Sequence, residues 1–172
     1  KGISNLVNSL EGTDKRLIHI STVAVYGSQK YCNELTLLNP ETNYATSKLF
    51  AEYLLLKDFN KEKLTILRLS NLYGGNQTKG IFAYLLKSYR SNLKLEFNND
   101  GNLLRTFMHV EDCARIIKQV IDNKKISGIF NVKGNESFSV NDLINKFEKK
   151  FDVSFKKQFS NKLPWENIEL LD

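Results

Sequence analysis

An α/β fold organised on a parallel sheet is what the sequence predicts, and three observations carry that prediction. Two short apolar runs with strand character, "RLIHIS" at 16–21 and "KLTILRL" at 63–69, are separated by a helix-compatible stretch at 43–59. A third run, "GIFNV", follows a helical stretch at 110–123. Helix–strand alternation is the signature of right-handed crossover units, and near-continuous apolar strands suit a sheet covered on both faces. The 172 residues, 41% hydrophobic and 26% charged, are ordinary for a soluble globular chain. A chain of that length can bury about 70% of the surface it exposes when unfolded, enough for a core.

The elements follow in order. Residues 3–10 have a helical look, and the polar turn "EGTDK" leads from them into the first strand. Thr22 falls just past the carboxyl end of that strand, where open α/β sheets place ligands. Pro40 halts the chain, and Thr42 or Asn43 can cap the helix at 43–59. After "YGGNQTKG" the pattern changes. A helix at 80–91, a strand at 93–97, a turn at "NNDG" and a strand at 103–108 predict a small lobe folded over the sheet's carboxyl edge. The helix at 110–123 turns Ile116, Ile117, Val120 and Ile121 toward the core. A return strand at about 128–133 rejoins the sheet, and Ser139 with Asp142 makes a capping box for a helix at 140–150. Residues from 160 onward read as an irregular tail. The expected division is a sheet part at 1–78 and a lobe at 79–172 that sends one strand back.

The chemistry concentrates in Thr22, Tyr44 and Lys48. Tyr-x-x-x-Lys occurs three times, at Tyr26/Lys30, Tyr44/Lys48 and Tyr53/Lys57, and with 7 Tyr in the chain about one match arises by chance, so context decides. The first follows a strand too closely to sit on a settled helix, and the third lies two turns beyond the first helical turn. Tyr44 and Lys48 share a helix face with Cβ atoms about 5–6 Å apart. At about 5 Å and an effective dielectric near 20, the Lys cation favours a tyrosinate by about 3 kcal/mol, or about two pKa units. That carries a phenol toward neutrality, where acid/base catalysis is efficient. Thr22 adds a hydroxyl able to donate to and accept from a reacting oxygen. Together they read as the acid/base set of a nicotinamide-dependent enzyme acting on an alcohol or ketone. Blander readings stand beside this one: a helix-surface pair for Tyr44 and Lys48, and a strand-end hydroxyl bonded to its own loop for Thr22.

At "HISTVAVYG" and "NPETNYATSK" the chain resembles the extended short-chain dehydrogenase/reductases, specifically the nucleotide-sugar epimerases and dehydratases. "RLSNLYGG" at 68–75, "GNLLRTFMHVEDCARII" at 101–117 and "GIFNVKGNESFSVNDLINKF" at 128–147 are similar to further ordered segments of that family. The resemblance implies a Rossmann-like, doubly wound parallel sheet with a substrate-binding lobe. It also implies catalysis by Thr22, Tyr44 and Lys48, the last two also touching the cofactor. Thr22 and Asn71 would contact the sugar nucleotide, and Arg105 would bind a phosphate of its diphosphate. The cofactor implied is NAD, with NADP open because the discriminating segment is absent. The partner is a nucleotide-diphosphate sugar, and extended members commonly dimerise through the helix at 43–59, where Leu49, Phe50, Tyr53, Leu54 and Leu56 spread apolar surface widely.

Departures sharpen the expectation. Gly75 stands where many members have Pro, and Thr106 where many have Asp. Dehydratases place an Asp-Glu pair directly after the catalytic Thr; here Val23 and Ala24 take those positions, with no substitute carboxylate visible nearby. The expected activity is therefore epimerisation by transient oxidation of a sugar hydroxyl, with ketoreductase or dehydratase chemistry as alternatives. The Gly-rich turn that cradles a dinucleotide pyrophosphate is absent, the chain opens at Lys1 and its only Met is Met108. These features predict the C-terminal half of a longer enzyme, inactive in isolation, or an assembly module without catalysis of its own.

Composition bounds the rest. A net charge of +6 is spread along the chain and interleaved with acids, without the clustered basic stripe of a nucleic-acid binder. No apolar run reaches the length of a membrane span. Cys32 and Cys113 lack paired spacing and suit a reducing cytoplasm. His19 inside an apolar strand, with His109 read as structural beside the helix-start acid Asp112, leaves no metal site expected.

Overall fold

The computed structural model describes residues 2–98, 100–160 and 170. A three-stranded parallel sheet in the order β1 (Leu17–Thr22), β2 (Leu64–Leu69), β6 (Gly128–Val132) forms its base. The central strand β2 is buried at every position, which is why its sequence is almost unbroken apolar. Alternation then divides its side chains between two cores. Leu64 and Ile66 face α1 (Gly2–Leu10) and α2 (Asn43–Asp58), packing with Val7 and Leu55. Leu67 and Leu69 face α4 (Val110–Asp122), packing with Cys113, Val120 and Met108. Helices thus cover both faces of a parallel sheet.

The lobe is built on α3 (Ile81–Arg90) and α5 (Val140–Phe151), whose Leu85, Leu143 and Ile144 enclose Leu95 and Phe155. Two small sheets complete it. One orders β3 (Asn71–Tyr73), β5 (Arg105–His109) and β7 (Glu136–Phe138). The other pairs β4 (Lys94–Phe97) in parallel with β8 (Lys156–Phe159). The strands on either side of "NNDG" therefore pair with distant partners and not with each other. Ser139 accepts from the Asp142 backbone while Asp142 receives from Ser139, closing the expected capping box.

One sequence expectation is corrected. Ile121 is 56% exposed, and Cys113 takes the buried place on α4 that the pattern assigned to it. The irregular tail expected from 160 lies, apart from Ser160 and Leu170, outside the described residues. Gly75 has φ of +60°, a value the proline ring forbids, so the usual Pro cannot stand there without rebuilding the turn. Among the described residues no helix is long and apolar enough to cross a membrane.

Candidate functional site

Thr22 is the last residue of β1, and it opens the short 3-10 helix Val23–Tyr26, where its Oγ1 accepts from the Ala24 backbone N–H at 3.2 Å. The hydroxyl proton stays available to a ligand. Thr22 sits on the wall of a cleft of about 200 Å³. Asn71 and Arg105, from two other segments, line the same cleft. The β3–β5 pairing that sets Asn71 opposite Phe107 brings them together, and the Asn71 amide donates to the Thr106 carbonyl at 3.4 Å. Arg105 is partly buried and donates to the Leu104 carbonyl at 2.8 Å. Burial lowers its pKa from the usual guanidinium range, with Glu41 pulling the other way. Thr106, where an Asp is common, bonds the Ser137 hydroxyl at 2.8 Å and so ties β5 to β7.

Tyr44 and Lys48 stand in the first turns of α2, and neither is on the cleft wall. The N-cap Thr42, which accepts from the Ala45 backbone at 3.1 Å, is on the cleft wall; Tyr44, 58% exposed, is not. The Lys48 ammonium is 6.0 Å from the centre of the Tyr44 ring and donates to the Ile20 carbonyl of β1 at 2.9 Å. One hydrogen bond leaves two of its three donors free. His19, also on β1, has its Nε2 buried without a hydrogen-bond partner among the described residues. Burial and the nearby Lys48 charge hold its pKa below the ordinary histidine value. Of the other two pairs, Tyr26 is fully buried, and Tyr53, on α2, is as exposed as Tyr44.

Sequence reading missed a buried polar cluster and one exposed acid. Glu52, one helical turn beyond Lys48, accepts from Arg68 of β2 at 2.7 Å and also from the Ser21 hydroxyl. Arg68 in turn donates to the Tyr26 hydroxyl at 2.9 Å, and Tyr26 donates to Asn131 of β6 at 2.8 Å. Burial alone would depress Arg68; the Glu52 hydrogen bonds and charge raise it above its ordinary value instead. Burial raises the Tyr26 phenol, with Arg68 acting against that. A second omission is Glu41. The sequence shows no carboxylate near Thr22, yet the loop before α2 carries Glu41 onto the same cleft wall. Ser28 holds it, N–H to one carboxylate oxygen at 3.1 Å and hydroxyl to the other at 2.7 Å. Among described residues no cluster of His, Cys, Asp and Glu has the arrangement to hold a metal ion.

Comparison with known proteins places this geometry. Over 170 residues the chain is 27% identical to a trifunctional UDP-glucose 4,6-dehydratase/UDP-4-keto-6-deoxy-D-glucose 3,5-epimerase/UDP-4-keto-L-rhamnose-reductase of Arabidopsis thaliana, covering 94% of this chain and 24% of that protein. It is 30% identical over 164 residues to an uncharacterized UDP-glucose epimerase, YtcB, of Bacillus subtilis, covering 91% and 51%. The crystal structure of UDP-glucuronic acid 4-epimerase from Bacillus cereus, in complex with UDP-glucuronic acid and NAD, superposes with a TM-score of 0.89 at 30% identity, covering 99% of this chain and 57% of that one. The chain thus spans between about a quarter and just over half of these relatives, which include both epimerases and a dehydratase. Residues 1–132 match the NAD dependent epimerase/dehydratase family, and the chain belongs to it.

Proposed function

We propose that this chain supplies the catalytic and substrate-binding part of an NAD-dependent nucleotide-sugar epimerase. Within that reading residues 1–78 carry the catalytic strand and helix, and residues 79–172 the substrate lobe. One observation supports it above the rest. Thr22, Asn71 and Arg105, from three separated segments, line one cleft at the carboxyl edge of β1, and Lys48 of the adjoining helix α2 is bonded to the Ile20 carbonyl of that strand. β1 is an edge of its sheet, so the parallel strands of a Gly-rich first half can add beside it.

Tyr44 takes the proton of the sugar hydroxyl and returns it, with the Lys48 ammonium 6.0 Å from the centre of its ring. Thr22 orients the same hydroxyl with its free O–H. Asn71 and Arg105 hold the nucleotide diphosphate, Arg105 by charge-assisted hydrogen bonds. Tyr44 and Lys48 fit the nicotinamide ribose of NAD, because Tyr44 offers an exposed phenol and Lys48, one turn along the same helix, an ammonium that gives one donor to the Ile20 carbonyl. When bound, NAD supplies a reversible hydride acceptor. The pyrophosphate needs the Gly-rich turn, which this sequence lacks. Val23 and Ala24 in place of an acid pair favour epimerisation over dehydration; the one carboxylate that the described residues place on the cleft wall, Glu41, is tied to Ser28.

The test is Tyr44→Phe in the polypeptide that joins this chain to a dinucleotide-binding half. Interconversion of the sugar nucleotide should fall by about 10²–10⁴-fold while substrate binding is retained. Retention of more than about a tenth of the rate rejects Tyr44 as the acid/base.

A further inference from the structure

We propose that Glu41 sets the class of sugar: the cleft takes a neutral hexose unit and rejects a uronic acid. The inference rests on the nucleotide-sugar reading of the cleft and goes on to name what that site selects. Glu41 is the carboxylate on the same wall as Thr22, and its side chain is open to the cleft. It does not swing freely. Both of its oxygens are held by Ser28, and the two loops that carry these residues are locked together. Gly27, with φ of +68°, lies so close to the Asn39 carbonyl that a Cβ there would sit 2.0 Å from the oxygen. Asn39 also donates its N–H to the Val25 carbonyl at 3.0 Å. A carboxylate fixed in this way presents remaining lone pairs at a constant position.

Such a group distinguishes two kinds of sugar. Hydroxyls of a neutral hexose donate to it, whereas a second carboxylate brought within about 5 Å meets a like charge that the neutral donors of the lining, Thr22, Thr42, Ser70 and Asn71, solvate but do not neutralise. Arg105 does not rescue the acid, because the diphosphate engages its charge and Glu41 already acts on it. The structural relative crystallised with UDP-glucuronic acid makes the contrast concrete, since that protein holds the acid which this cleft would repel.

Calorimetry of this chain with UDP, UDP-glucose and UDP-glucuronic acid, for the wild type and Glu41→Gln, tests the inference. The wild type should prefer UDP-glucose over UDP-glucuronic acid by about tenfold or more, and raising the salt concentration should narrow the gap. Glu41→Gln keeps the size of the side chain and an acceptor for Ser28, and should bring the two sugars within about threefold of each other. Equal affinity in the wild type, or an undiminished preference in the variant, overturns the role of Glu41. Failure of all three ligands to bind overturns the nucleotide-sugar reading itself and the specificity built on it.

Discussion

Glu52→Gln should destabilise the fold far more than a surface charge change, although it alters only one oxygen to nitrogen. Arg68 is 2% exposed and Glu52 1% exposed. The guanidinium gives Nη2 to Glu52 at 2.7 Å and Nε to both carboxylate oxygens at 3.2 Å. A unit charge pair about 4 Å apart at an effective dielectric near 20 is worth about 4 kcal/mol. Loss of one partner of a buried pair costs about 3–5 kcal/mol, chiefly because the surviving ion stays desolvated. The Gln carbonyl still accepts one bond from Arg68, so the lower end, about 3 kcal/mol, is expected. For a chain of this size that lowers Tm by about 6–12 °C. The assay is urea unfolding followed by circular dichroism. A combined Glu52→Met, Arg68→Leu variant removes both charges and should recover most of the loss. A cost below about 1 kcal/mol for Glu52→Gln, or a double variant as unstable as the single one, refutes the claim that the desolvated pair dominates here.

Two further outcomes follow from the surface of the site and of α2. Arg105→Ala should weaken nucleotide-sugar binding by about 1.5–3 kcal/mol while leaving NAD affinity unchanged in the complete enzyme; an unaltered dissociation constant for the sugar nucleotide in titration calorimetry moves the phosphate site elsewhere. The complete enzyme should dimerise through α2, where Phe50 is 61% and Tyr53 57% exposed, and Phe50→Asp with Tyr53→Asp should yield monomers in sedimentation velocity; a wild type that stays monomeric at high concentration removes the basis for that interface.

The parts of the fold legible in sequence are those where burial or a cap imposes a local rule. β2, buried at every position, reads as an apolar run, as do the half-buried β1 and, less completely, β6, while Thr42 and Ser139 announce their helices through side-chain caps. Strands of three or four residues give no such rule. Asn71 and Leu72 of β3 are exposed, so neither alternation nor turn chemistry identifies that strand, and β4, read from sequence at 93–97, takes a partner more than fifty residues away that no local rule indicates. The apolar girdle expected on α2 was partly misread for a related reason: Leu56 packs inward against the Leu55 and Ile66 core, leaving the aromatic residues outward. Thr22, Asn71 and Arg105 were each visible as candidates, but their convergence depends on strand pairing. Nothing in the local sequence distinguishes Glu41 or Glu52 from other acids. A usable signal for Glu52 did exist, since Arg68 interrupts a fully buried strand and such a cation requires a partner.

The buried pair also bears on why Lys48 and Thr22 come into register. α2 touches β1 through two polar ties, Lys48 to the Ile20 carbonyl and Glu52 to the Ser21 hydroxyl. The two α2 residues are one turn apart, a rise of about 6 Å, while the two β1 residues are about 3.3 Å apart along the strand. Because those spacings differ, sliding the helix to improve one tie strains the other, and rotation about its axis is limited by both being on one face. Arg68 then braces Glu52 from β2, and Tyr26 carries the brace through to Asn131 on β6. Apolar packing by itself is weakly directional and tolerates small shifts of a helix over a sheet. The polar ties remove that tolerance where α2 passes the end of β1, so the same helix placement that holds Lys48 against the strand also sets Thr42 and Glu41 on the wall that Thr22 occupies.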